Sequence, residues 1–186
     1  MQAAGTAEQY LTTALTALRG SDDWRAALDD LPVPVYTTDA EGGVTYWNQA
    51  CVDFAGRVPQ LGKDRWCVTW QLYTMLGERL LHDDCPMAEA IKSQKEIRGK
   101  VAIAMRPDGS RRAFIPHPTP LFDEAGDFTG AVNLLIDVTH EQAAELVDQA
   151  ARCRRLARAT ADARASEILG NMAQGYSTSA ATLRPN

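Results

Sequence analysis

The densest run of potential ligands in the chain is His82, Asp83, Asp84 and Cys85. Zinc accepts imidazole and thiolate, with carboxylate as a further ligand. Four neighbouring residues do not easily converge on one tetrahedral ion, so a metal here would draw on a distant group, and Cys67 is the obvious one. The same set, Cys67, His82 and Cys85, could also serve redox or other sensing. The simpler reading is a turn that caps a helix starting at Pro86, with Asp84 accepting from the free N–H groups. Cys85 lies near that helix N-terminus, where a thiol pKa can fall. An activated nucleophile also needs a base and an orienting third group, so Cys85 reads as a structural thiol.

The only other histidines are His117 and His140. His140 followed by Glu141 superficially resembles the start of a phosphoacceptor helix, but no ATP-binding sequence follows it. The chain also shows no P-loop and no helix-turn-helix followed by basic residues. No enzymatic activity is expected.

Bulk properties narrow the partners. The 186 residues carry a net charge of −5, whereas a general nucleic-acid surface needs excess Lys and Arg to displace counterions. Arg152, Arg154, Arg155 and Arg158 sit among helix formers and read as a solvated helix face. Cys51, Cys67, Cys85 and Cys153 form no CxxC pair, which fits free thiols in a reducing cytoplasm. There is no signal-peptide pattern and no apolar run long enough to span a membrane.

The elements that must position these residues follow from periodicity. Leu11, Ala14, Leu15 and Leu18 predict a helix over 7–19, and Ser21 and Asp22 can cap a second through Trp24 and Leu28. Strands are expected at 35–38 and 44–47, joined by a turn at Asp39–Gly43 that uses glycine's positive φ. Asn48 can cap a helix running to Gly56. Residues 61–84 are hard to assign, with 68–73 a candidate extended segment. Three strands are expected at 98–105, 112–120 and 128–138, the middle one irregular because of Pro116, Pro118 and Pro120. Thr139 and Gln142 form a Thr-x-x-Gln capping box for an exit helix. Its seam from Ala143 to Ala157 suits either a parallel coiled coil or a hairpin folding back through Ile168 and Met172. The tail from Ser177 looks loose. Trp47, Phe54, Trp66, Trp70, Tyr73 and Phe114 are candidates for a small-molecule pocket, weighed against plain core packing.

Several motifs fall into a recognisable order. Asp39, Gly42, Tyr46, Asn48, Ala50 and Gly56 come first, then Pro107–Asp108–Gly109, then Gly130 and the Asp137–Val138–Thr139 junction. Together they resemble the PAS family over residues 30–140 or so. The stretches Trp66–Trp70 (WCVTW) and Leu81–Ala88 (LHDDCPMA) are similar to PAS domains found beside bacterial two-component histidine kinases. The resemblance implies an α+β fold with a five-stranded antiparallel sheet and helices on one face. It also implies an N-terminal helical cap (1–30), a PAS core (31–140) and a C-terminal helical extension (141–186). The function implied is sensing or relay, as a stand-alone homodimeric module contacting a separate histidine kinase or regulator, with Asp137 and Thr139 at the signal junction. A constitutive scaffold is the alternative. Haem-binding relatives use a His on a pocket helix, which neither His82 nor His117 matches. Photochemical flavin relatives carry an Asn-Cys-Arg-Phe-Leu type sequence absent from this chain, and no tightly bound cofactor is expected.

Overall fold

The computed structural model describes residues 6–20 and 23–183. The proposed cap at Ser21 and Asp22 lies outside the described residues. Helices α1 (Ala7–Gly20) and α2 (Trp24–Asp29) lead into strands β1 (Val35–Asp39) and β2 (Val44–Trp47). Their hairpin closes as expected, with Gly42 at φ 87° and the Asp39 carboxylate accepting from Gly43 N–H at 2.7 Å. Asn48 caps α3 (Gln49–Ala55) by accepting from Cys51 N–H, and Gly56 ends that helix in the left-handed region.

The stretch that resisted assignment forms a short hairpin, β3 (Gln71–Tyr73) and β4 (Arg79–Leu80), followed by a 3-10 turn at His82–Asp84. Helix α4 (Pro86–Ser93) precedes β5 (Ala102–Met105), β6 (Arg111–Pro116), β7 (Thr119–Phe122) and β8 (Phe128–Asp137). Two long helices follow, α5 (Thr139–Ala159) and α6 (Ala163–Leu183).

Among the described residues the antiparallel sheet has eight strands rather than five, in the order β2-β1-β8-β6-β5-β3-β4, with β7 also paired to β8. Two causes account for the surplus. The β3–β4 hairpin adds to the edge through β5. The expected strand at 112–120 breaks at His117–Pro118 into β6 and β7, because proline cannot donate to the ladder. Both halves pair with successive stretches of the ten-residue β8.

The sheet is covered on both faces, not on one. Alternate residues of a strand point to opposite faces, and here both sets are apolar. Tyr36, Ala131 and Leu135 join the core beneath α3 and α4, together with Phe54, Met87, Ile91 and Phe114. Val35, Val132 and Leu134 face the other way and pack with Ala14 and Leu28 of α1 and α2. Further along that outer face, Ile103 and Ala113 pack with Ala143 of α5 and Leu183 of α6.

The C-terminal segment resolves into a hairpin rather than an extended single helix, but not through Ile168 and Met172, which stay exposed because they face away from α5. Ala150 and Cys153 of α5, and Ala173 and Ala180 of α6, are buried. The tail is not loose as far as Leu183, which is 1% exposed. Thr139 is not the cap of α5 either. It is the first helical residue, Val138 holds the cap position, and no side-chain cap bond forms. Its hydroxyl is instead committed to Asp137 and to the Ala113 N–H.

Candidate functional site

A cleft of about 390 Å³ opens between the 63–67 loop, the β3–β4 hairpin and the His82–Asp84 turn. Its floor is Trp66. This residue holds φ 68°, a region that bulky side chains occupy only when their surroundings over-determine it. Three hydrogen bonds to Trp66, and a fourth that holds one of its partners, do so. Trp66 N–H donates to Gly42 O at 2.8 Å, and the Tyr36 hydroxyl donates to Trp66 O at 2.9 Å. The indole Nε1 donates to Asp83 Oδ1 at 2.6 Å, and Lys92 Nζ secures the Asp83 carbonyl from the other side. Gly42 is required here, since a Cβ would sit 2.1 Å from the indole ring.

The loop is braced from below. Arg57 pairs with Asp64 at 2.6 Å and donates to Val68 O at 3.1 Å. Tyr36 also accepts from Asn133 Nδ2 at 3.0 Å, and Asn133 Oδ1 accepts from His117 N–H at 2.9 Å. A buried polar chain thus runs from the cleft floor through β1 to β8. Burial raises the Tyr36 pKa well above the ordinary phenol value, so the hydroxyl stays a donor.

The structure disperses the six aromatic candidates. Trp66 and Trp70 line the cleft. Phe54 and Phe114 pack edge to face at 5.5 Å inside the core. Trp47 packs partly buried against that core. Tyr73 lies on the outer face beside Ile103, with Arg111 4.9 Å over its ring. Among the described residues they are not gathered at one site; strand alternation, for one, sends Tyr73 outward while Leu72 turns inward.

Cys67 and His82 both line the cleft, while Cys85 is buried in the core. Among the described residues no three His, Cys, Asp or Glu side chains are placed to hold a metal. Burial also works against thiol chemistry. It raises the Cys67 thiol and pushes Cys85 up to about 12, with the Cys67 charge adding to the effect. Asp84 does not cap α4; Cys85 holds the cap position, without a side-chain bond. His82 is kept below the usual imidazole pKa by desolvation, with the nearby Asp64 carboxylate opposing, and its buried Nε2 has no hydrogen-bond partner.

The junction residues do meet. Asp137 Oδ1 accepts from Thr139 N–H at 2.9 Å and from its hydroxyl, while Ala113 N–H donates to Thr139 Oγ1 at 3.1 Å. Arg112 lies 3.6 Å from the second Asp137 oxygen. The β8–α5 step is therefore clasped to β6.

Sequence reasoning missed Lys63, Gln71, Arg79 and Leu81 on the cleft walls. The signal for Gln71 and Arg79 was the turn between β3 and β4. Gly77 at φ 82° donates to Thr74 O at 3.0 Å, between Leu72 and Leu80. A Gly-containing turn between two short apolar segments is a hairpin pattern.

The family model described as the PAS fold matches residues 28–143. No curated protein gives a significant match. Solved structures do. A light-oxygen-voltage domain described with a flavin analogue aligns at TM-score 0.50 and 16% identity, over 69% of this chain and 96% of that one. An RNA-binding light-oxygen-voltage receptor aligns at 0.49 and 19%, over 74% of this chain but only 37% of the receptor. The light-oxygen-voltage domain of a blue-light activated histidine kinase from Erythrobacter litoralis aligns at 0.44 and 19%, over 58% of this chain and 97% of that one. At these identities the structural likeness speaks to fold alone. The family match takes in the whole sheet, α3, α4 and the clasped start of α5, and on that ground the chain belongs to the PAS fold family.

Proposed function

We propose that this chain is a non-catalytic sensory or adaptor module. In this reading a change at the cleft alters the seating of the α5–α6 hairpin, and a separate signalling protein reads the hairpin. A histidine kinase or its regulator in the cytoplasm is the partner that fits, with the module acting as a homodimer. One contact carries the reading. Gln71, on the cleft wall, accepts from the Tyr73 hydroxyl at 2.9 Å. The Tyr73 ring belongs to the same apolar cluster as Ile103, Leu146 and Leu183. Cleft and hairpin are therefore separated by one side-chain pair. The clasp at Asp137 and Thr139 leaves the other end of the hairpin little slack.

A ligand or partner shifts such a two-state element only through a difference in its affinity for the two states. The test is amide exchange of the last turns of α6 in the full chain, wild type against Gln71→Ala and Tyr73→Phe. Both variants should speed exchange around Leu183. Unchanged exchange in both would remove the relay. The scaffold reading would then stand, and the filled interior around Phe54 and Phe114 supports it. The buried, weakly acidic thiols of Cys67 and Cys85 give a redox or metal sensor no comparable support.

A further inference from the structure

The cleft carries a charge imbalance that its own residues leave open. Of its two carboxylates, Asp64 is paired with Arg57 from beneath, while Asp83 accepts from the neutral Trp66 indole and keeps its charge. Its three cations, Lys63, Arg65 and Arg79, are exposed and form no ion pair among the described residues. Arg65 lies 4.4 Å over the outer face of Trp66 and donates to Glu41 O at 2.8 Å, so it is already held in place. A local positive surplus in a chain of net charge −5 draws anions to this point.

The rest of the wall is apolar and aromatic. Trp70 is 44% exposed and Leu81 58% exposed, and both line the cleft with Leu72 and Leu80. An indole offered to solvent beside aliphatic side chains is a platform for a flat, weakly hydrated ring. A guanidinium such as that of Arg79 matches a carboxylate in a planar, two-bond fork. A volume of about 390 Å³ lies within the range of small-ligand sites. His82 adds a neutral imidazole to the cleft lining, its Nε2 buried and without a partner.

We infer that this cleft, outside the core enclosed by α3 and α4, binds a small planar aromatic carboxylate. Its ring stacks on Trp70 and its carboxylate is held by Arg79 with Lys63. The inference rests on the sensory reading, for which it names the ligand class. The over-determined Trp66 makes the cleft floor rigid, so an occupant acts on the wall that can move, the β3–β4 hairpin carrying Gln71.

The experiment is an NMR titration of the full chain with one- and two-ring carboxylates, benzoate, 1-naphthoate, 2-naphthoate and indole-3-carboxylate, each beside its neutral amide. The indole N–H signals of Trp66 and Trp70 report on the site. Saturable shifts are expected for carboxylates, with amides weaker by about tenfold or more. Arg79→Gln and Trp70→Ala should each weaken binding by a similar factor, while Lys95→Gln, outside the cleft, should not. No saturable shift across the whole set overturns the inference. So does equal binding of acids and amides, or binding that survives both cleft variants. Saturation by an acidic peptide in place of the small acids would also overturn it and mark the cleft as a protein contact. The relay fails on a different readout, the α6 exchange of Gln71→Ala and Tyr73→Phe, so the two ideas stand or fall separately.

Discussion

Asn48 ties three segments together through one amide. Its oxygen accepts from Cys51 N–H and Val35 N–H, each at 3.1 Å, and its nitrogen faces the carbonyls of Leu28, Leu31 and Val33 at 2.9–3.3 Å. Removing it strands buried backbone groups, each costing about 1–3 kcal/mol. Asn48→Ala should therefore destabilise the fold by roughly 3 kcal/mol or more, read as a lower urea midpoint. Asn48→Asp should not rescue it, because a carboxylate cannot donate to the three carbonyls. Histidine supplies the pH dependence. His82 and His117 both titrate below the ordinary value of 6.5, in each case chiefly because burial disfavours the charged ring. The unfolded chain then binds protons more readily than the folded one. Their contribution to stability is complete above about pH 6.5 and is lost as the pH falls through the depressed folded-state values. The urea midpoint should fall between about pH 7.5 and 5, and His82→Gln should flatten that slope. A pH-independent midpoint would contradict the burial of both rings.

At the scale of elements, the C-terminal hairpin is the component that periodicity alone left undecided. Its inner seam is built largely from small residues, Ala143, Ala150, Ala173 and Ala180, which let the two helices approach closely. Small side chains bury little area, so the hairpin depends on its large anchors, the fully buried Leu183 above all, seated against Ile103 and Ala113 with Leu146 at the rim. Leu183→Ala should cost roughly 2–4 kcal/mol of stability at that anchor. The loss should show as faster amide exchange in α6 and around Ile103, with β1 and β8 little changed. Uniform exchange across the chain would mean that the hairpin and sheet open as one unit. Prolines determine the other irregular element. Pro116 closes β6, Pro118 lies in the break, and Pro120 falls in β7, which pairs with β8 alone and so tolerates a missing donor; at the break the His117 N–H donates to Asn133 Oδ1.

Across the whole molecule, β8 is the organising strand. It pairs with β1, β6 and β7 and contributes to the apolar cores on both faces. The β3–β4 hairpin is the opposite case: two short strands at the sheet edge, paired inward only through β3 and β5. Local opening follows contact density, so amide exchange should be slowest in β8 and β1 and fastest in β4 and the Thr74–Glu78 turn. If β3–β4 proved as protected as β8, it could not be the movable wall of the cleft. No helix among the described residues is long and apolar enough to cross a membrane.

Much of the fold was legible along the chain because it rests on local chemistry. The Asp39–Gly43 turn, the Asn48 cap, the Gly56 stop, the Pro-Asp-Gly turn and the Asp137–Thr139 junction each depend on residues within a few positions of one another. The family likeness follows from their order. The cleft did not show itself in this way. Trp66 and Asp83 are 17 positions apart, and Tyr36 and Asn133 are 97 apart. Only the assembled sheet brings them together. The choice between a coiled coil and a hairpin was likewise undecided by periodicity, since both satisfy the same apolar seam. It was decided by the outward-facing Ile103 and Ala113, an apolar patch on the sheet that a folded-back α6 can cover and an extended helix cannot.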